Sequence, residues 1–339
     1  MTDMDSRFRE RLQDLASDAP RGEVLPPTLV SRARRRIALT MTVVLVSVAI
    51  AVGTVVGVRG LTRSTPRPAH VPSKDLFGQI HGEILYTSGF SSGYLAVAPS
   101  SPDTVSLELP GRGSPIGWSA DGEHLLVRGS GRGGSAADLA VVSADGSRQP
   151  ITHDGALWGS FAPDASSVVY DDGSGLHVIE LATGAVRTLV RADHREFIWG
   201  PAWSPDASQI VFFDSSKGGN RWTIQVVNAD GSRRRVLVDL SDRRIAEPGP
   251  LEWSPDGSQL AFFLDPTKYH AAIWVMDADG SHLRQLTDHT DNVWPTWSPD
   301  GTQIAFVRHS KLFVMAADGS GKQQIAGIAP GWAIAWNPA

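Results

Sequence analysis

Three clusters in this 339-residue chain have residue types and spacings that could do chemistry. Between Asp277 and Gly301, "DADGSHLRQLTDHTDNVWPTWSPDG" concentrates aspartates in a D-x-D-G pattern that could supply oxygen ligands to calcium. A calcium loop of the EF-hand type closes on a Glu at its twelfth position. Here that position is Asp288, and Leu283 and Leu286 intervene, so turn chemistry accounts better for Asp277, Asp279 and Asp300. "GFSSG" (Gly89–Gly93) matches G-x-S-x-G, which presents a nucleophilic Ser on a strand-to-helix elbow. It lies between the strand-length segments "EILYT" and "YLAVA" with no helix after it, so a hairpin is expected and Ser91 is not expected to be a nucleophile. "GSGRGG" (Gly129–Gly134) matches G-x-G-x-x-G, but the chain runs on into "ADLAVV" where a dinucleotide site needs a helix N-terminus. Neither motif predicts a catalytic residue.

The elements that would position these residues form an array. "WSADGEHLLVR", "FAPDASSVVYD", "WSPDASQIVFF", "WSPDGSQLAFF", "WSPDGTQIAFV" and a short "WNPA" start at Trp118, Phe161, Trp203, Trp253, Trp297 and Trp336. These aromatic anchors are 43, 42, 50, 44 and 39 residues apart. A second unit lies between them, as in "VNADGSRRRVL" and "MDADGSHLRQL". Short apolar runs such as Leu260–Phe263 and Ile273–Met276 read as strands. Pro and Gly in "SPDG" suit a type I turn, and "ADG" suits a tight hairpin. Four-stranded units of this length stack radially as propeller blades.

The W-S-P-D-G-x-x-I/L-A-F motif, followed by a D-x-D-G hairpin and "QLT", resembles the TolB-type β-propeller repeat over roughly residues 80–339. The resemblance is strongest from Trp253 and Trp297 and weakest at Phe161. It implies an all-β fold of four-stranded blades. The chain ends in "AIAWNPA", a single inner strand, while "GEILYTS", "YLAVAP" and "TVSLEL" form three strands lacking one. Joining them predicts six blades over residues 78–339, with the ring closed by the C-terminal strand and no unpaired edge at the seam. The resemblance also implies a channel mouth that docks a protein partner.

Residues 37–58 form an uncharged run of twenty-two, long enough to span a bilayer as a helix. "RARRR" before it, with sparser basic residues after it, predicts a single-pass anchor with a cytoplasmic N-terminus in the plasma membrane. Ala49-Ile50-Ala51 offers the competing reading, a cleaved signal peptide. Residues 59–77 are proline-rich and read as an extended linker, too short for the small α/β domain that precedes the propeller in TolB itself. In residues 1–36, Phe8, Leu12 and Leu15 mark a short amphipathic helix that would lie on lipid or dock a cytoplasmic partner, the latter making a transmembrane sensor.

Residues 59–339 carry 23 Lys and Arg against 30 Asp and Glu, which argues against nucleic acid as a partner. The absence of Cys excludes disulfides and thiolate metal sites. His153, His194 and His289 fall in equivalent blade-to-blade connections. Solvated loop histidines are the simpler reading, and no cofactor is expected. The alternative is a metal held by the three, as in the carbohydrate-active propeller lyases with TolB-like repeats. A second tryptophan precedes the anchor at Trp158, Trp199, Trp294 and Trp332, by three or four residues. With His153, Asp154, His194, Arg195, Glu196, Asp288, His289 and Asp291 these indoles would line a channel mouth suited to a protein or peptide ligand. The competing role is to plug the channel. The unequal offsets mean that strand alternation alone cannot place all four on one face.

Overall fold

The computed structural model describes residues 76–77, 80, 82–88, 94–99, 104–111, 113–129, 138–152, 155–193, 196–216, 221–243, 245–267, 269–327 and 330–338. The expected cytoplasmic segment, membrane span and most of the linker lie outside them. Among the described residues no helix is long and apolar enough to cross a membrane. The chain divides into Met1–Pro72 and Ser73–Ala339, and the ring belongs to the second unit.

Six antiparallel sheets follow one another. Blade 2 comprises Ser114–Trp118, His124–Arg128, Leu139–Ser143 and Arg148–Pro150. Blade 3 comprises Trp158–Phe161, Ser167–Asp171, Gly175–Glu180 and Val186–Arg191. Blade 4 comprises Glu196–Trp203, Gln209–Ser216, Arg221–Asn228 and Arg235–Asp239. The inner strand of blade 5 is split into Glu247–Pro248 and Glu252–Trp253, and Gln259–Asp265, Ala272–Asp277 and Arg284–Gln285 follow. Blade 6 comprises Asn292–Trp297, Gln303–Arg308, Lys311–Ala316 and Gln323–Gly327.

Blade 1 is composite, as the two chain ends predict. Its inner strand, Pro330–Trp336, pairs with Ile84–Ser88 through Trp336↔Ile84, Ala335↔Leu85 and Ile334↔Tyr86. Tyr94–Val97 and Thr104–Leu107 complete it. "EILYT" and "YLAVA" pair as the expected hairpin, with Thr87 opposite Tyr94. "HLLV" and "ADLAVV" do the same, with Arg128 opposite Leu139. Residues 89–93 and 130–137 lie outside the described residues.

The second strand of each blade is apolar on both faces because it sits between neighbours. In blade 5, Leu260 and Phe262 join Val211 and Phe213 of blade 4, whereas Ala261 and Phe263 join Ile304 and Phe306 of blade 6. Such two-sided alternation links every neighbouring pair of blades. Phe77, one residue ahead of the expected start of the propeller, is buried edge-on against Trp118 at 4.7 Å and so belongs to this packing.

Candidate functional site: the axial cavity

Each inner strand ends in the anchor and its turn. In blade 5, Ser254 Oγ donates to Asp256 Oδ1 at 2.6 Å and accepts from Gln259 N at 2.9 Å. Asp256 Oδ1 also accepts from Ser258 N at 3.0 Å, and Gly257 supplies the positive φ of 71°. Ser204 with Asp206 and Ser298 with Asp300 repeat the network. Bonds from Ser254 and Ser258 hold the Asp256 carboxyl below the usual range. In the second hairpin Asp279 accepts from Ser281 N at 2.8 Å and Gly280 N donates to the Asp277 carbonyl at 2.9 Å. Asp277, Asp279 and Asp300 therefore do turn work, as their sequence setting predicted.

Just before the anchor the inner strands lose regularity. The register shifts between Trp199 and Ala202 in blade 4, and between Val293 and Thr296 in blade 6. Gly200, at φ 63°, turns the first of these, where a Cβ would come within 2.9 Å of Pro250. In blade 6 Trp294 itself takes φ 56°, an uncommon state for a bulky residue that also precedes a proline. These bulges re-aim the side chains and absorb the unequal offsets. Trp158 stacks on Trp294 at 5.4 Å and 15°, and lies 6.0 Å from Trp199. Phe263 meets Trp294 edge-on at 5.4 Å. Trp199 Nε1 donates to the Pro248 carbonyl at 3.1 Å. Three of the four expected indoles thus meet, each buried wholly or in part. The side chain of Trp332 lies outside the described residues.

On the turn side of this cluster lies an axial cavity of about 430 Å³. Trp158 and Trp294 bound its inner end. Its walls carry the anchors Trp118, Phe161, Trp203, Trp253, Trp297 and Trp336, and its rim includes Pro255 and Pro299. Among the described lining residues Glu252 is the one ionisable side chain. Its Oε1 accepts from Thr296 Oγ1 at 3.0 Å and from Trp297 N at 3.1 Å. Burial pushes its carboxyl up to about 7, and these two bonds only partly offset the shift. Sequence reading passed over Glu252. The available signal was its position one before the anchor, occupied in the other blades by Gly117, Ser160, Ala202, Thr296 and Ala335.

Of the polar residues expected at a mouth, the described ones, Glu196, Asp288, His289 and Asp291, are not among the cavity's lining. Glu196 lies 3.7 Å from Arg234, which bonds Asp214 at 2.7 Å and covers the Phe212 ring. Burial, then Glu196, raises the Asp214 carboxyl. His289 is exposed, its Nδ1 3.0 Å from the His270 carbonyl. Asp288 lies 3.6 Å from Arg308, and its carbonyl accepts from Asn292 Nδ2 at 2.7 Å. Asp291 takes φ 58° in the same connection. His153, Asp154, His194 and Arg195 lie outside the described residues. Among the described residues no group of three His, Asp or Glu is placed to hold a metal.

Comparison with known proteins agrees with this geometry. Residues 266–328 match the family described as the dipeptidyl peptidase IV N-terminal region. A stretch of 109 residues is 37% identical to the Tol-Pal system protein TolB of Anaeromyxobacter dehalogenans strain 2CP-C, covering 32% of this chain and 23% of that protein. The TolB of strain 2CP-1 is 36% identical over the same length and shares. The crystal structure of TolB from Acinetobacter baumannii superposes with a TM-score of 0.57 at 18% identity, over 77% of this chain and 68% of that one. A putative TolB from Agrobacterium tumefaciens gives 0.52 at 20%, over 67% and 90%. The molecule is a TolB-like six-bladed β-propeller. This TolB-like chain spans about a quarter of the length of the curated relatives it matches, and the structural likeness concerns the fold.

Proposed function

We propose that this TolB-like propeller is a binding module that docks a protein or peptide at the axial cavity, and that its work is binding rather than catalysis. The observation that carries the reading is the cavity wall, which sets indole and proline rings beside the polar groups of Ser119, Ser160, Glu252 and Thr296. Large amphipathic rings held in place give contact area at low entropic cost, and Trp is enriched among residues that dominate binding energy. The stacked Trp158–Trp294 pair supplies a fixed floor, so the site needs little reorganisation when occupied. The local likeness to Tol-Pal system proteins supports a place in the bacterial envelope. The uncharged run at 37–58 after "RARRR" supports a single-pass anchor with the ring outside the cytoplasm, leaving residues 1–36 free for a cytoplasmic partner.

A photo-reactive residue at Pro299, on the rim, tests the docking reading in intact cells. It is expected to crosslink one defined envelope protein, while the same residue at Asp291, at the opposite end of the inner strand, does not. Equal yields from both positions, or none from Pro299, would overturn it.

A further inference from the structure

The cavity contains a charge that its architecture does not require. In blade 3 the residue before the anchor is Ser160, whose Oγ accepts from Trp203 N of blade 4 at 3.3 Å. In blade 5 Glu252 makes the corresponding bond to Trp297 N of blade 6. A hydroxyl therefore suffices to tie one blade to the next, and Ala or Gly serves at three other blades. Glu252 brings instead a carboxyl that is largely withdrawn from water, where an unpaired charge is costly. Both of its hydrogen bonds fall on Oε1, and among the described residues no basic group contributes to its environment and no other lining residue carries charge.

We propose that Glu252 receives a primary ammonium group at the end of an apolar stem, the side chain of a lysine in the docked partner. The inference rests on reading the cavity as a docking site. The match is one of chemistry. A lysine stem is slim and apolar, suited to walls of Trp and Pro, and it carries its charge at the tip. The walls suit that charge, because Trp118, Trp203, Trp253, Trp297 and Trp336 line the cavity and indole is the best cation–π partner. The ammonium brings three donors to a carboxylate with an oxygen to spare. A bound cation also stabilises the ionised form of Glu252, so binding releases a proton wherever the free protein holds one.

The test uses the full chain in detergent micelles and blocked pentapeptides, N-acetyl-Gly-Ser-Lys-Ser-Gly-amide and its norleucine and Nε-acetyllysine counterparts. An unblocked Gly-Ser-Gly-Ser-Gly distinguishes an N-terminal amine from a lysine side chain. Binding is read by calorimetry and by quenching of the indoles. The lysine peptide is expected to bind at least tenfold tighter than both neutral counterparts, with the preference falling about tenfold per pH unit below about 7. Glu252→Gln is expected to abolish the preference. Glu252→Ser, which copies the Ser160 arrangement, is a second variant should Gln perturb the fold. Equal affinity for lysine and norleucine peptides, a preference that survives both substitutions, a tighter grip on the unblocked amine, or no binding by any peptide would overturn the inference. The Pro299 crosslink judges the docking reading separately, since it needs no lysine.

Discussion

The two ends of the inner strands obey different rules. At the anchor end, blades 4, 5 and 6 repeat one network, Ser to Asp to the backbone two residues on, with nearly the same distances. At the starting end blades 4 and 6 share one bulge, between the fourth and the first residue before the anchor, with Gly200 and Trp294 at the same position at φ 63° and 56°. Blade 5 departs from it, leaving the strand between Pro248 and Glu252. A ring needs equal turns so that its blades meet at equal angles, and the turn end provides them. The axis has to be filled by unequal pieces, since six identical large side chains could not share one centre. Departures from the repeat therefore mark where this molecule is individual, and both the stacked tryptophans and Glu252 lie there.

The comparison breaks most severely if closure is lost. Deleting Ala333–Ala339 removes Trp336, its bond from Nε1 to the Gly82 carbonyl at 2.9 Å, and most of the pairing with Ile84–Ser88. Truncating one buried aromatic costs about 3 to 5 kcal/mol, against a total stability of about 5 to 15 kcal/mol. The deleted protein is expected to melt far earlier by circular dichroism or to aggregate through the opened edge. An unchanged melting temperature would mean that the ring does not depend on its seam.

Next in size is Trp294→Ala. If the floor is structural, removing the ring that Trp158 and Phe263 pack against costs about 3 kcal/mol or more in chemical denaturation. If the indoles serve a ligand alone, Trp199→Ala with Trp294→Ala leaves the melting temperature nearly unchanged. The stacking geometry favours the first outcome.

Fold and site differ in how far they could be read from the chain. Six blades and their closure follow from anchors and turns, because both are local and chemically explicit: a Trp, a Pro, an Asp and a Gly at fixed offsets. The meeting of Trp158, Trp199 and Trp294 does not follow. Strand alternation places Trp199, at an offset of four, on the face opposite Trp158 and Trp294, at an offset of three, and the bulge between Trp199 and Ala202 reconciles it with them. Glu252 escaped notice for a related reason. One carboxylate beside a tryptophan in "LEWSPDG" reads as a surface charge until the ring places that position on the axis. Glu196, Asp288, His289 and Asp291 belong to the blade connections, whereas the lining of the axial cavity includes the turn residues Ala120, Pro163, Pro205, Pro255 and Pro299.

Glu252 sharpens the contrast thermodynamically. Its carboxyl is raised from 4.5 to about 7, so between those values the folded state holds a proton that the unfolded chain has lost. Stability from this group is complete below pH 4.5, declines as pH rises toward 7, and stays low above it. The decline amounts to at most about 3 to 4 kcal/mol, from about 2.5 pKa units at 1.36 kcal/mol per unit. Glu252→Gln keeps an acceptor for Thr296 and Trp297 without the ionisation. Its melting temperature is expected to match the parent at pH 4.5 and to exceed it at pH 8 by the equivalent of about 1 to 3 kcal/mol. A constant difference across that range would show that the carboxyl is not desolvated.

The smallest effect tests the regular end. Position four of the turn is Gly122, Gly257 and Gly301 in three blades, at φ 72°, 71° and 69°. In blades 3 and 4 it is Ala165 and Ala207, held at φ 55° and 60°. An L-residue other than glycine spends about 1 to 2 kcal/mol in that conformation, while glycine costs extra entropy on ordering. The balance favours glycine, so Ala165→Gly is expected to raise stability by about 0.5 to 1 kcal/mol. The reverse change, Gly257→Ala, isolates the backbone term, since an added Cβ there would meet only Pro205 Cδ and Cγ, at 3.7 and 3.8 Å. It is expected to cost a similar amount. If the two exchanges differ in size by more than about 1 kcal/mol, the turns of blades 3 and 5 are not equivalent, and the regularity assigned to this end of the ring would belong only to the blades that carry Gly.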